Sequence, residues 1–174
     1  MSLSAEQIVE YRAFAEQLAD AAALAIKPYF RASLDVEDKG GRLYDPVTVA
    51  DKAAEDAMRE LIQARYPEHG ILGEEQGVAV GTSPLTWVLD PIDGTRGYLS
   101  GTPTWGVLIA VSDAQGPVLG IIDQPYIRER FEAALKQGGG LLAAPCLPVD
   151  VFESQPPRLL GRRDRIERQE GAVR

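Results

Sequence analysis

The first thirty residues alternate apolar and polar positions with helical spacing. Apolar side chains recur every three or four positions, which predicts a long amphipathic helix over residues 5–31. Ser4 and Gln7 form the pattern of a capping box at its start, and Pro28 predicts a kink near its end. The apolar positions are Ile8, Tyr11, Phe14, Ala15, Leu18, Ala22, Ala25, Ile26 and Tyr29.

A second amphipathic helix is predicted over residues 49–65, where Pro67 stops it. Residues 32–48, between the two helices, alternate in polarity and turn at Gly40-Gly41, which indicates extended structure and loop. The apolar face of the second helix comprises Ala50, Ala53, Ala54, Ala57, Met58, Leu61 and Ile62.

From residue 71 the pattern becomes that of short strands separated by turns. Strands are predicted over residues 71–73, 86–89, 105–111 and 118–122, and the last two flank a hairpin turn, Asp-Ala-Gln-Gly, at 113–116. Because the helices come first and neighbouring strands follow, the sequence predicts an α+β fold. Two N-terminal helices then pack on a mainly antiparallel sheet.

The character of the chain changes near residue 137, after which glycine, proline and arginine replace the apolar periodicity. We therefore predict one α+β domain over residues 1–136 and a divergent, irregular tail over 137–174. A charged interaction arm is the functional alternative for the tail. Its prolines and arginines include Pro145, Pro148, Pro156, Pro157, Arg158, Arg162, Arg163, Arg165 and Arg168.

Composition narrows the range of partners. Among 174 residues, 18 are basic and 26 acidic, and the resulting net charge of −8 disfavours nucleic acid and anionic membrane. A small anionic substrate then needs a local cation. The single cysteine, Cys146, excludes an internal disulfide and a cysteine-rich zinc site, so we expect a cytoplasmic setting. The single histidine, His69, is interpreted as a loop residue between helix and strand. We expect neither a secretory signal nor a membrane span.

Residues 87–95, Trp-Val-Leu-Asp-Pro-Ile-Asp-Gly-Thr, carry the chemistry. Asp90 and Asp93 supply hard oxygen ligands suited to Mg²⁺, and the Gly94-Thr95 peptide can present backbone N–H groups to an anion. A short helix beginning near Thr95 would add its N-terminal dipole to a phosphate site. The segment therefore indicates phosphate-ester chemistry.

Two further acidic groups are expected near these aspartates. Glu74 and Glu75 follow the strand at 71–73, and carboxylates gathered at adjacent strand ends need a metal ion because they cannot all ionise. Taken alone, the two glutamates fit a solvated loop equally well. Asp51 ends the segment 45–51, Asp-Pro-Val-Thr-Val-Ala-Asp, where Thr48 and Asp51 also form a helix-capping pattern, and both roles remain open.

Haloacid-dehalogenase-like phosphatases are a competing class that spacing argues against. Their motif is Asp-x-Asp-Gly-Thr, whereas Asp90-Pro-Ile-Asp93 has one residue more. On an extended strand, that extra residue reverses the direction of the second side chain.

Taken together, these motifs resemble the inositol monophosphatase family of Mg²⁺-dependent phosphomonoesterases. The matching segments are 45–51, Gly-Glu-Glu at 73–75, and 87–95, in the family's order and spacing, with coverage from the first helix to about residue 136. The resemblance implies that the α+β domain is the N-terminal half of a layered αβαβα sugar-phosphatase fold. It also makes residues 1–136 the metal- and phosphate-binding domain.

The resemblance assigns roles to individual residues. Glu74, Asp90 and the carbonyl of Ile92 would hold one Mg²⁺, while Asp90 and Asp93 would share another, in a site that holds roughly two or three ions in a complete member. Thr95 with Glu74 would orient a metal-activated water for in-line attack on phosphorus.

The remaining implied roles concern substrate and the outer shell. The amides of Gly94 and Thr95 would bind phosphate oxygens next to Asp93, and Asp51 would lie in an outer metal or water shell as a further catalytic residue. Residues 94–98 and 101–106 look more like the histidinol-phosphate phosphatase branch than the inositol branch, with Arg96 and Trp105 as the informative positions.

The function implied is hydrolysis of a small phosphorylated metabolite. Histidinol phosphate is favoured, inositol 1-phosphate is the alternative, and a homodimer is allowed. The sequence departs from the family in one respect, because no Trp-Asp motif follows Trp105 to complete the second metal site. We therefore expect the family's C-terminal half to be missing, through truncation or a frameshift. A non-catalytic remnant that binds metal or a protein partner is the alternative of another class.

Overall fold

The structure is a computed structural model that describes residues 3–32, 36–38, 46–135 and 141–148. It contains three helices and nine strands within these ranges. The helices are α1 (Ala5–Ile26), α2 (Val49–Arg65) and α3 (Thr95–Leu99). The strands are β1 (Val36–Asp38), β2 (Pro46–Thr48), β3 (Gly70–Gly73), β4 (Gly77–Ala79), β5 (Thr86–Asp93), β6 (Gly106–Asp113), β7 (Gly116–Gln124), β8 (Glu129–Leu135) and β9 (Leu141–Pro148).

Both long helices begin at the residues predicted from the sequence. Ser4 and Gln7 form the capping box of α1, with the Gln7 amide 3.1 Å from the Ser4 hydroxyl. The helix ends at Ile26 rather than near residue 31, because Pro28 lacks the N–H that would continue the helical bonding. Helix α2 has the predicted bounds, and it ends where Tyr66, which precedes Pro67, leaves the helical region.

The main sheet is mixed and mostly antiparallel, in the order β4-β3-β5-β6-β7-β8-β9. Only β3 and β5 run parallel, and the other neighbouring pairs are antiparallel. The predicted hairpin at 113–116 joins β6 to β7, where the Gln115 amide donates to the Asp113 carboxylate at 2.8 Å. Strands β1 and β2 pair separately, and Gly40-Gly41 lies outside the described residues. The predicted α+β class is confirmed.

The predicted irregular tail differs from the structure over Leu141–Pro148, because these residues form β9 and pair antiparallel with β8. The two prolines of this segment, Pro145 and Pro148, concealed the strand in the sequence. An edge strand tolerates proline, since half of its backbone N–H groups have no partner in the sheet. Residues 136–140 and 149–174 lie outside the described residues.

One face of the sheet packs against both long helices. Alternate residues of β5 and β6 point into this core, where Trp87 is fully buried and meets Tyr11 and Phe14 of α1 in edge-to-face contacts. Polar pairs also cross the interface, since Arg12 of α1 binds Glu132 of β8 at 2.7 Å. The helices therefore cover one side of the sheet continuously.

The opposite face of the sheet carries apolar side chains that no described element covers. Leu72, Ile122 and Phe131 are 42%, 49% and 43% exposed. An antiparallel sheet with one solvated face normally presents polar residues there, so this face has the composition of a covered one. We call it the open face, and its members are Leu72, Val78, Val88, Leu108, Ala110, Ile122, Phe131, Ala133 and Leu135. No helix among the described residues is sufficiently long and apolar to cross a bilayer.

Arg130 is the buried cation that ties α1 to the sheet. Its Nε donates to Asp123 at 2.9 Å and its terminal nitrogen to Asp20 of α1 at 2.7 Å. The Asp123 side chain is 1% exposed, and burial raises the pKa of its carboxyl although Arg130 opposes the shift.

Arg130→Met should lower the free energy of unfolding by about 3 kcal/mol, because it leaves the Asp123 charge buried without its partner. Urea denaturation at neutral pH measures the effect. Adding Asp123→Asn should recover part of the loss, and Arg128→Met, on an exposed neighbour, should change little. Equal stability of Arg130→Met and the wild type would contradict this account.

Candidate metal and phosphate site

The parallel pairing of β3 with β5 brings the first two carboxylates together. Gly73, the last residue of β3, lies opposite Leu89, so that Glu74, which follows β3, and Asp90, the next residue of β5, are neighbours. The Glu74 amide donates to the Leu89 carbonyl at 3.1 Å, which continues the strand pairing to the glutamate itself. The carboxyl groups of Glu74 and Asp90 are hydrogen-bonded to each other. The structure thus places two of the predicted metal ligands side by side.

Asp90 is the electrostatically strained member of this pair. Burial, together with the hydrogen bond to Glu74 and the negative charges of Glu74 and Asp93, raises the pKa of Asp90 to about 8. Its Oδ1 atom is buried and has no hydrogen-bond partner. A buried carboxylate oxygen without a donor, next to two further carboxylates, fits a bound cation.

The turn after β5 provides the predicted anion-binding backbone. The pairing of β5 with β6 shifts register between Asp90 and Asp93, and the chain then turns at Gly94 with φ of +86°. A Cβ atom at Gly94 would lie 2.7 Å from the Thr104 carbonyl oxygen, so this position requires glycine for space as well as for conformation. The predicted short helix, α3, begins at Thr95.

Two of the remaining predicted site atoms contact each other in this turn. The Thr95 hydroxyl donates to the Ile92 carbonyl oxygen at 3.1 Å. Ile92 itself is buried, while Asp93 is exposed at the end of β5. The hydroxyl and the carbonyl that the resemblance assigned to water and to metal therefore belong to one hydrogen-bonded unit.

Asp51 has the capping role predicted for it at the start of α2. It is 2% exposed, and its carboxylate accepts hydrogen bonds from the Thr48 amide at 2.8 Å and the Thr48 hydroxyl at 2.6 Å, which caps α2. Burial raises the pKa of Asp51, the Thr48 hydrogen bonds oppose this, and the charge of Glu74 adds to it. Asp51 therefore caps the helix and also lies within the electrostatic reach of the site. Asp45 is outside the described residues.

Within the described ranges, no group of three or more His, Cys, Asp and Glu side chains is arranged as a finished metal site. The structure shows Glu74 and Asp90 as a hydrogen-bonded pair. The charge of Asp93 acts on Asp90, and the charges of Asp51 and Glu74 act on each other. The roles assigned to Glu74, Thr95, Asp51, Asp93 and their neighbours thus remain predictions.

Glu55 and Arg59 of α2 lie beneath the site, and sequence reasoning missed them. Glu55 is fully buried and accepts hydrogen bonds from the Glu75 amide at 2.7 Å and the Gln76 amide at 3.1 Å. The available signal was a charged pair four residues apart within an apolar helix face, which is unusual unless both charges are partnered.

His69 lies between α2 and β3, as expected, but it is buried. The Trp87 indole donates to its Nδ1 at 3.1 Å, and the ring stacks on Tyr66 at 4.8 Å between centroids. Burial lowers the pKa of His69, which favours the neutral ring that accepts this bond. It lies at the start of β3, the opposite end from Glu74, so its contacts are those of a core residue.

Known proteins are similar to this chain in sequence and in fold. The model of the inositol monophosphatase family matches residues 7–154, and the chain therefore belongs to the inositol monophosphatase family. The match extends past residue 136, where the resemblance was expected to end, and it includes the residues of β9.

Three relatives illustrate the similarity. The chloroplastic bifunctional phosphatase IMPL2 of Arabidopsis thaliana is 42% identical over 131 residues, which cover 74% of this chain and 37% of that protein. A histidinol-phosphatase of Streptomyces coelicolor is 43% identical over 129 residues, covering 71% and 47%. The solved extragenic suppressor protein suhB of Bartonella henselae superposes with a TM-score of 0.69 at 29% identity, covering 77% and 52%. The matched region thus spans about half of each relative, or less.

Asp90→Asn should change how stability depends on pH in the metal-free protein. Because the folded state raises the pKa of Asp90 from 3.8 to about 8, it holds this proton more tightly than the unfolded chain does. The wild type should therefore lose stability as pH rises through that window, on the order of 1–2 kcal/mol after allowing for solvent screening. Urea denaturation with a chelator at about pH 5 and pH 8 measures this.

In that experiment Asp90→Asn should show a smaller loss between the two pH values. The control is Asp113→Asn, at the far end of β6, which should keep the wild-type slope. Identical slopes for the wild type and Asp90→Asn would show that Asp90 does not hold the extra proton.

Proposed function

We propose that the protein is a Mg²⁺-dependent phosphatase of a small phosphomonoester. The observation that carries the proposal is the buried, unpartnered Oδ1 of Asp90 beside Glu74, one turn before the Gly94 backbone. The phosphatase names of the Arabidopsis and Streptomyces relatives support the same reaction class. The acidic chain would work in the cytoplasm, an assignment supported by its single cysteine.

Residues that gather at the strand ends would hold the metal. Glu74, Asp90 and the Ile92 carbonyl fit one Mg²⁺, and Asp90 with Asp93 fits another, in a centre of roughly two or three ions. When bound, Mg²⁺ would lower the pKa of a coordinated water and neutralise charge on phosphate oxygens. Because a bound ion would relieve the mutual repulsion of the carboxylates, this repulsion would raise the affinity of the site for the metal.

Thr95 and Glu74 would orient the attacking water. The single hydroxyl proton of Thr95 is already donated to the Ile92 carbonyl, so its oxygen offers lone pairs and accepts a hydrogen bond from water. The exposed Glu74 carboxylate can accept a hydrogen bond from the second O–H of the same water. Asp51, which is held by Thr48, would support the outer shell through its charge.

Backbone amides would bind the phosphate oxygens of the substrate. The Gly94 and Thr95 amides lie at the start of α3, where the first N–H groups of a helix have no acceptor within it. Because a side chain at Gly94 would meet Thr104, the turn keeps this backbone uncovered.

Histidinol phosphate is the favoured substrate, and inositol 1-phosphate is the alternative. Support comes from the segments 94–98 and 101–106, which resemble the histidinol-phosphate branch, and from the name of the Streptomyces relative. Arg96 is exposed within the first segment, where a group of the substrate beyond the phosphate would contact it.

Asp93→Asn should reduce Mg²⁺-dependent phosphate release by about 100-fold or more, because it removes one charge of a shared metal ligand. Release from histidinol phosphate, inositol 1-phosphate and an aryl phosphate is measured with and without a chelator. Asp113→Asn is the matched control at the other end of the sheet and should retain wild-type activity. A folded wild type that releases no phosphate from any of the three would refute the proposal.

A non-catalytic binding protein is the second candidate, and the open face is the observation that favours it. A concave region of about 600 Å³ on this face is lined by apolar residues from β5 to β8 and reaches Asp90. The occupant that we assign to it is a second copy of this chain.

The dimensions and charge of the open face suit such a dimer. The four long strands of the open face, β5 to β8, are about 4.8 Å apart and about 25 Å long, and together with the short β3 and β4 they present roughly 600 Å² per copy. Two copies would bury about 1,200 Å², the lower limit for a specific interface. The named members of the open face are uncharged, and the charge that this face carries in the concave region includes that of Asp90.

Ile122→Lys combined with Phe131→Lys should convert such a dimer to a monomer, since two buried charges would face each other across the interface. Sedimentation velocity measures the mass. Val9→Lys, on an exposed position of α1 at the opposite side, should remain dimeric. A monomeric wild type, or a dimer that persists in the double variant, would exclude the open face as the contact between copies.

A further inference from the structure

A buried ion pair lies directly beneath the turn that carries Glu74. Glu55 of α2 is 0% exposed and Arg59, one helical turn later, is 7% exposed. The Arg59 Nε donates to Glu55 Oε1 at 2.7 Å, and its terminal nitrogen donates to the Gly77 carbonyl at 2.6 Å. Helix α2 is thereby bonded to the start of β4, and through Glu55 it is also bonded to the turn between β3 and β4.

The hydrogen bonds around this turn constrain three consecutive amides, two of them through Glu55. The Glu74 amide donates to Leu89 of β5, while the next two amides, of Glu75 and Gln76, donate to the two oxygens of Glu55. The Glu74 backbone is therefore held from the sheet on one side and from α2 on the other. No bond in this set involves the Glu74 carboxylate itself.

Gly73 shows how closely the Glu55 carboxylate approaches the turn. A Cβ atom built on Gly73 would lie 2.0 Å from Glu55 Oε1 and 2.4 Å from its carboxyl carbon. The carboxylate thus occupies the space of a side chain at position 73. Glycine at this position and the carboxylate at Glu55 are two parts of one arrangement.

The energetic cost of burying this ion pair indicates that its role is to hold the turn that follows Glu74 in place. Burying two charges costs several kcal/mol in desolvation, and apolar residues of similar volume often stabilise a fold equally well or better. What apolar residues cannot provide is a pair of acceptors for the amides that follow Glu74. The ion pair therefore fixes the turn rather than simply filling the core.

We propose that Glu55, held by Arg59, is a positioning residue that sets the Glu74 carboxylate beside Asp90 for binding a divalent cation. This inference rests on the proposed metal site. Glu55 does not contact the ion, and it acts through the Glu75 and Gln76 amides. Loss of these bonds releases the turn, so that Glu74 and Asp90 no longer share a fixed geometry.

The test measures Mg²⁺ and Mn²⁺ affinity by titration calorimetry on the full chain, at a temperature where circular dichroism shows each variant folded. Glu55→Gln replaces one acceptor oxygen by an amide group that opposes the turn, and it should weaken binding about tenfold or more. Glu60→Gln, an exposed neighbour on the same helix, should bind as the wild type does.

Arg59→Lys is the second variant, for the case in which Glu55→Gln does not fold. It keeps the buried charge but loses the planar fork that joins Glu55 to Gly77, so an intermediate loss of affinity is expected. A purely structural role would lower the unfolding temperature and leave the affinity of the folded protein unchanged.

The outcomes separate this inference from the proposed function. Weaker binding in a folded variant supports the positioning role. Unchanged affinity in Glu55→Gln, or in Arg59→Lys where only that variant folds, overturns it while the metal site stands. A wild type that binds neither ion overturns both together.

Discussion

The repulsion between Glu74 and Asp90 is the constraint around which the rest of the structure is arranged. Parallel pairing of β3 with β5 places both carboxylates at neighbouring positions of the two chains, and burial together with the carboxylate of Glu74 raises the pKa of Asp90. A fold selected for stability alone would avoid this pair. Its presence makes sense if the neighbouring turns and helix ends exist to maintain a charge arrangement that a cation completes.

The two faces of the sheet differ in what covers them. The helix side contains a continuous core with buried ion pairs, in which Arg130 and Arg12 connect α1 to β7 and β8. The open face has the composition of an interior surface, although nothing in the described residues covers it. Asp90 lies at the end of a strand on this face, so whatever covers the open face also changes the solvation of the proposed metal site.

Sequence patterns predicted the starts of both long helices, because caps and apolar periodicity are local features. They also predicted the proximity of Glu74 and Asp90, whereas the roles of these residues remain proposals. The bounds of α2 follow directly from Thr48 at its start and Pro67 after its end. The family resemblance placed Glu74 and Asp90 together, and the parallel strand pairing explains physically why they meet.

The features that sequence reasoning missed depend on contacts between residues far apart in the chain. These contacts allow charged residues to be buried where apolar residues are usual. In strand β8 the charged residues Arg130 and Glu132 are buried, which reverses the usual alternation of buried apolar and exposed polar residues. Both side chains have partners on α1. Glu55 has the same character, because its acceptors are satisfied by a turn twenty residues away. The spacing argument about Asp90 and Asp93 assumed a regular strand, whereas the register of β5 shifts between them.

The position of Asp51 and Glu55 on the same helix has a mechanical consequence. They are four residues apart, so one rigid element carries both the carboxylate that caps its first turn and the acceptor that holds the Glu74 turn. A small rotation of α2 would displace both groups at once. Because helix α1 packs along α2, a substitution in the contact between the two helices would act on both carboxylates through a tilt of α2.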